Sequence, residues 1–190
     1  MPDRSGWKSN AERRILAEKA LIAAGSNIDP IRYLPAAVAR LAELGRIAGV
    51  SRVYQNPAVG PRWQPDYLNA AVLLETDLTP HDIRRRLRAI EASLGRVRGE
   101  DRYAARTIDL DLCLYGAVVV ETPELTLPCP DVTQRGYLAV TLAEVAPDFP
   151  HPLTGEPLRA IAERLRPAAP LIPRPDVVLP APDAPRPDGP

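Results

Sequence analysis

The chain has 190 residues, 45% of them hydrophobic, enough for one well-buried domain with tails. Its 24 lysines and arginines balance 24 aspartates and glutamates, so the molecule as a whole offers no attraction to nucleic acid or to an acidic membrane, and any anion site must be local. Two cysteines, Cys113 and Cys129, in no metal-like spacing argue against a disulfide framework or a zinc cluster. With an N-terminus that lacks an apolar leader, they predict a soluble cytoplasmic protein without a membrane span.

Residues 1–18 are polar and charged and read as an extension, with a short helical turn at 11–18. Lys19 to Ala24 is an apolar run ended by Gly25-Ser26-Asn27, a strand entering a tight turn that Gly25 serves by adopting unusual backbone angles. Asp29 and Pro30 then form an N-cap and first helical residue. Ile31, Leu34, Val38, Leu41 and Leu44 make the stripe of that helix, and Pro35 delays its regular part by a turn. Val50 to Tyr54 is the next strand. Gln55 to Pro65, with prolines at 57, 61 and 65, is a rigid loop. Tyr67 to Leu74 is a strand, and Thr79-Pro80 opens a helix striped by Ile83, Leu87, Ile90 and Leu94 and ended by Gly95.

After a loop rich in arginine comes a strand carrying Thr107, Asp109, Asp111 and Cys113 on one face and Ile108, Leu110, Leu112 and Leu114 on the other. Tyr115-Gly116 is a turn from which Val118 to Val120 pairs back. Gly136 to Ala146 and Pro157 to Leu165 are helices. The tail, 167–190, has nine prolines among its 24 residues and reads as an extended or disordered segment that buries no apolar surface. A domain over 19–166 with strand and helix in the order βαββαβ predicts an α+β, ferredoxin-like α/β/α sandwich around a mostly antiparallel sheet.

An Asp-x-Asp pair in a strand is most often its solvated face. Here the aspartates, about 7 Å apart at their Cα atoms, follow arginines in a loop with little apolar content. Two carboxylates so placed can hold a divalent ion, and hard oxygen ligands select Mg²⁺. Arg96, Arg98, Arg102 and Arg106 can grip phosphate bidentately, and such a loop can close over a ligand. Arg84, Arg85, Arg86 and Arg88 lie off the apolar stripe of their helix and read as a solvated face without a catalytic role. Gly25-Ser26-Asn27 lacks the pattern of a P-loop and reads as a turn only. Neither His81 nor His151 has a catalytic constellation around it.

Taken together, Ala-Gly-Ser-Asn-Ile, Gln-Pro-Asp-Tyr-Leu-Asn-Ala-Ala-Val, Gly-Arg-Val-Arg and Arg-Thr-Ile-Asp-Leu-Asp-Leu resemble, in order and spacing, the 6-hydroxymethyl-7,8-dihydropterin pyrophosphokinase family of folate biosynthesis, over residues 20–160. The resemblance implies transfer of pyrophosphate from ATP to the pterin hydroxymethyl oxygen; beside it stands the expectation of a monomer acting on small molecules without nucleic acid or membrane. The resemblance also implies that Asp109 and Asp111 hold two Mg²⁺ ions and that Arg96 and Arg106 neutralise developing charge. Asn56, Pro57, Val59, Gly60, Tyr67, Asn69 and Tyr137 would form the pterin pocket, with Glu91, Arg98, Tyr103, Thr126, Cys129 and Arg135 on the ATP side. Cys129 where the family commonly has histidine, Gly99 where it often has a basic residue, and Glu124 where an arginine occurs imply weaker or differently organised ATP binding. The rivals are a non-catalytic pterin- or nucleotide-binding module of the same fold and an RNA-binding domain, which the scarcity of aromatics in the strands opposes.

Overall fold

The computed structural model describes residues 17–58, 63–99, 101 and 104–183. Strand β1 (Glu18–Ser26) runs at the centre of the sheet. Its Ala20, Ile22 and Ala24 face one helical layer, while Leu21 and Ala23 face the other. Burial on both faces is why this strand reads as an unbroken apolar run. Helix α1 (Pro30–Leu41) buries Leu34, Ala37, Val38 and Leu41. Ile31, expected in that stripe, is 59% exposed. The helix begins at Pro30 and contains Pro35, rather than starting a turn later. Pro35 deprives the Ile31 carbonyl of its helical partner, and Ile31 faces solvent, where water can take that place. Asp29 does not cap with its side chain; it turns the chain in a left-handed conformation, φ 45°.

The strand expected over 50–54 is two strands, β2 (Arg46–Val50) and β3 (Tyr54–Asn56), separated at Ser51. The Ser51 hydroxyl accepts from the Ala71 amide at 2.8 Å while the Ser51 amide donates to the Ala71 carbonyl at 2.9 Å. A side-chain oxygen here replaces a main-chain rung and interrupts the ladder. β4 (Tyr67–Thr76) pairs with β1, β2 and β3, all antiparallel. Helix α2 (Pro80–Ser93) starts at Thr79, whose hydroxyl accepts from the Asp82 amide, and ends before Gly95 at φ 79°. β5 (Asp109–Tyr115) forms the edge beyond β1, starting at Asp109 rather than Thr107. Val120 does not return to β5: β6 (Val120–Glu121) pairs with β7 (Thr126–Leu127).

The sheet order is β5-β1-β4-β3, with β2 beside β3 on β4. Helices α1 and α2 cover one face, and α3 (Gly136–Val145) and α4 (Leu158–Leu165) cover the other. This is the expected ferredoxin-like sandwich. It depends on Ile83, Leu87 and Ile90 of α2 and Leu138, Ala139 and Leu142 of α3, where each large aliphatic side chain contributes about 1.5–3 kcal/mol by leaving water.

The proline-rich segment departs from expectation. Residues 172–173 form β8 (Ile172–Pro173), which pairs antiparallel with β3. Val177 is 6% exposed within the main core, and Asp183 exchanges two 2.8 Å hydrogen bonds with the Ile47 main chain. Proline is tolerated because β8 is an edge strand, where a missing N–H costs no rung. The N-terminal extension up to residue 16, and residues 184–190, lie outside the described residues. None of the described helices is long and apolar enough to cross a membrane.

Candidate active site

Antiparallel pairing places Asp109 opposite Gly25, and Gly25 opposite Asn69 on its other side. The residues of three separate sequence segments thus lie side by side across β5, β1 and β4. Gly25 is needed there for space rather than for unusual dihedrals: a Cβ would lie 2.7 Å from Asn69 Oδ1.

Two cavities flank this line. The first, about 240 Å³, is bounded by Asn56, Pro57, Tyr67, Asn69 and Tyr137 on one side and by Arg106, Asp109, Asp111, Cys113 and Cys129 on the other. The second, about 420 Å³, lies between α2 and the 123–130 segment and also has Arg106, Asp109, Asp111 and Cys129 in its wall. The acidic pair therefore stands where the two cavities meet.

In the first cavity Asn69 Nδ2 donates to Asn56 Oδ1 at 2.7 Å, and Asn56 Nδ2 donates to the Pro57 carbonyl at 3.0 Å. These locked amides offer a flat ligand a fixed set of polar groups in a cavity that Tyr67 and Tyr137 also line. Burial raises both phenols, Tyr137 to about 12, so each stays protonated and can donate. Arg135, expected on the nucleotide side, lines this cavity and not the second. Val59, Gly60 and Tyr103 lie outside the described residues.

Asp109 binds Arg96 through one carboxylate oxygen and Arg106 through the other. Asp111 has no ion pair among the described residues. It is open to solvent at the junction, yet enough protein surrounds it that lost hydration, then the charges of Asp109 and Glu91, raise its pKa to about 6. That is a place where a cation would relieve uncompensated negative charge. No group of three or more His, Cys, Asp and Glu among the described residues is arranged to hold a metal. An ion here would complete its shell with water and phosphate oxygens, which suits Mg²⁺.

Glu91, expected on the ATP side, is 1% exposed and lines neither cavity. Its carboxylate accepts from Arg96, Arg98 and the Leu110 amide, so it bears on the nucleotide side through those arginines. Thr126 and Cys129 line the second cavity. The Cys129 amide donates to the Cys113 carbonyl at 2.8 Å. The contact between the two thiols lowers the pKa of Cys129 and raises that of Cys113. Arg84 and Arg88, read as a solvated face, also border the second cavity, Arg84 half-buried and Arg88 exposed. The direction α2 faces is set by its packing, which the stripe alone does not specify.

Ser26 and Asn27, read as a turn only, are buried and hold the arm that carries Arg106. Ser26 Oγ donates to the Thr107 carbonyl at 2.6 Å. Asn27 Oδ1 accepts from the Arg106 amide at 2.8 Å, and the Asn27 amide donates to the Arg106 carbonyl at 3.1 Å. Asn27 Nδ2 donates to Gln64 Oε1 and the Pro65 carbonyl, tying the proline loop to the same point. The sequence signal for this role was a polar pair directly after an apolar strand.

Comparison with known proteins identifies the family. The profile of the family described as 7,8-dihydro-6-hydroxymethylpterin-pyrophosphokinase (HPPK) matches residues 21–147. A 2-amino-4-hydroxy-6-hydroxymethyldihydropteridine pyrophosphokinase of Methylorubrum extorquens is 40% identical over 153 residues, 79% of this chain and 95% of its own. One from Synechocystis sp. is 38% identical over 151 residues, 77% of this chain and 75% of its own. The fold also matches a crystal structure of Plasmodium falciparum HPPK-DHPS with a TM-score of 0.62. At 12% identity that likeness speaks for the fold alone, and it covers 78% of this chain and 43% of the longer one. On the family profile and these relatives, the chain belongs to the 7,8-dihydro-6-hydroxymethylpterin-pyrophosphokinase family.

Proposed function

We propose that this chain transfers pyrophosphate from ATP to the hydroxymethyl oxygen of 6-hydroxymethyl-7,8-dihydropterin in folate biosynthesis, as a Mg²⁺-dependent enzyme with two ions at Asp109 and Asp111. The observation that carries the reading is the meeting of an aromatic, amide-lined cavity and an arginine-lined one at that aspartate pair. In the first cavity Asn56 and Asn69 fix the heterocycle by its polar edge, and Tyr67 and Tyr137 hold its faces. This points the hydroxymethyl group at the junction. In the second, the arginines receive the triphosphate.

The transfer forms a bond from the hydroxymethyl oxygen to the β-phosphorus, breaks the α–β bridge, and releases AMP and a proton. It asks the protein chiefly for alignment and for charge stabilisation. Asp109 holds Arg96 and Arg106 at the junction, one on each carboxylate oxygen. With an ion on those oxygens the arginines would be released toward the transferred group, Arg96 still held by Glu91. Bound magnesium would supply charge neutralisation along the phosphate chain. The two free cysteines support a cytoplasmic setting, and the balanced charge supports action on small molecules rather than nucleic acid.

The test is AMP formation from ATP with and without the pterin, in Mg²⁺, run beside Asp111→Ala. Pterin-dependent AMP in the wild type and its loss in the variant support the reading. Pterin binding without AMP in the folded wild type refutes it in favour of a binding module.

A further inference from the structure

Arg84 and Arg88 stand four residues apart on α2, each one residue past a buried stripe position, Ile83 and Leu87. They therefore lie about 100° around the helix from the core, on the flank that walls the second cavity. Neither has an ion-pair partner among the described residues. Arg85, on the outer side, pairs with Asp82 at 2.8 Å. The Nε of Arg84 is buried and finds no hydrogen-bond partner there. Burial first, then the charge of Arg88, holds the Arg84 pKa below its ordinary value.

Like charges at this spacing destabilise a helix, and a buried unpartnered donor adds to the cost. The second cavity has five arginines in its wall against three carboxylates, Asp109, Asp111 and Glu124. Arg84, half-buried with its Nε unpartnered, and Arg88, exposed at the cavity wall, present two guanidinium groups that an anion in the cavity would complete.

We propose that Arg84 and Arg88 are nucleotide-binding residues that grip the phosphate chain of ATP across the second cavity from Thr126 and Cys129. The inference rests on the nucleotide reading of that cavity and deepens it. Removing one guanidinium then weakens the nucleotide and leaves the pterin side alone, because neither arginine borders the first cavity.

The experiment titrates the full-length protein in Mg²⁺ with a non-hydrolysable ATP analogue, with inorganic tripolyphosphate, with adenosine and with the pterin. Arg84→Ala and Arg88→Ala should each raise Kd for the ATP analogue and for tripolyphosphate about tenfold. Kd for adenosine and pterin should stay within about twofold. Arg84→Lys, which keeps the charge without the fork, should fall between, and Arg85→Ala should match the wild type. Variants that fold, as judged by an unchanged pterin Kd, yet bind the analogue as tightly as the wild type overturn the proposal. Equal losses for adenosine and tripolyphosphate overturn it too. Direct binding keeps this test separate from turnover: arginine-dependent analogue binding without AMP formation sinks the assigned reaction and leaves the proposal standing.

Discussion

Asn27→Ala should be the most damaging single change outside the cavity walls. Asn27 is 3% exposed, and its amide makes three side-chain hydrogen bonds. It accepts from the Arg106 amide at 2.8 Å and donates to Gln64 Oε1 at 3.1 Å and the Pro65 carbonyl at 3.2 Å. At about 0.5–1.5 kcal/mol net for each bond, and with a largely buried amide left unpaired, the expected loss of stability is about 2–4 kcal/mol. Activity should fall further than stability implies. The arm from Arg106 to Asp109 keeps its ties to Ser26 and to the Asn27 main chain but loses its side-chain acceptor and its link to the proline loop, and a displacement of about 1 Å at a reacting centre costs on the order of 10²-fold in rate.

Asn27→Asp separates the two roles. It keeps an acceptor for the Arg106 amide but sets a carboxylate against the Gln64 and Pro65 oxygens, so it should raise the pterin KM while kcat falls less than in the alanine variant. Urea unfolding and steady-state kinetics of both variants decide the matter. A stability loss below about 0.5 kcal/mol with kcat/KM for Asn27→Ala within twofold of the wild type would refute the reasoning and return the turn to being only a turn.

Asp111→Asn should abolish pterin-dependent AMP formation, by at least about 10²-fold, while Tm holds or rises. It removes a carboxylate that burial and the charges of Asp109 and Glu91 already disfavour, and thermal melts without metal check this. His151 is 3% exposed, neither ring nitrogen has a partner among the described residues, and burial lowers its pKa from 6.5. The unfolded chain therefore binds the proton more readily, so stability from this group is present above about pH 6.5 and is lost as pH falls below it. His151→Gln should flatten that part of the profile between pH 7.5 and 5.5, and equal slopes in the two proteins would contradict the assignment. Val177→Ala should cost about 1–2 kcal/mol in urea unfolding. Deleting residues 170–190 should raise the pterin KM more than the ATP KM, since β8 braces β3 beside Asn56.

Much of the site was legible before any coordinates. Asp109 and Asp111 share a face because a strand has a period of two, and Tyr67 and Asn69 do so for the same reason. The four quoted segments pointed to the family to which the chain belongs. The helix stripes of α2 and the N-cap at Thr79 needed no tertiary information. Local chemistry misled at Ser51, where a hydroxyl stands in for a carbonyl and divides a strand, and at Asp29, where a good capping residue is used for a left-handed turn. It misled also in the tail, whose composition says disorder but whose Val177 finds a place in the core.

Periodicity and composition settle what a segment is and which side chains share a face, because those depend on residues a few positions apart. They determined the βαββαβ order, the acidic pair and the arginine loop, while the family came from the likeness of the four quoted segments. Which faces meet depends on contacts between segments tens of residues apart. Only the tertiary structure put Asn27 on Arg106, set Glu91 beneath Arg96 and Arg98, and turned Arg84 and Arg88 toward a cavity. A stripe on α2 says which side is buried. What the flank beside it faces is decided by the 123–130 segment packed across from it.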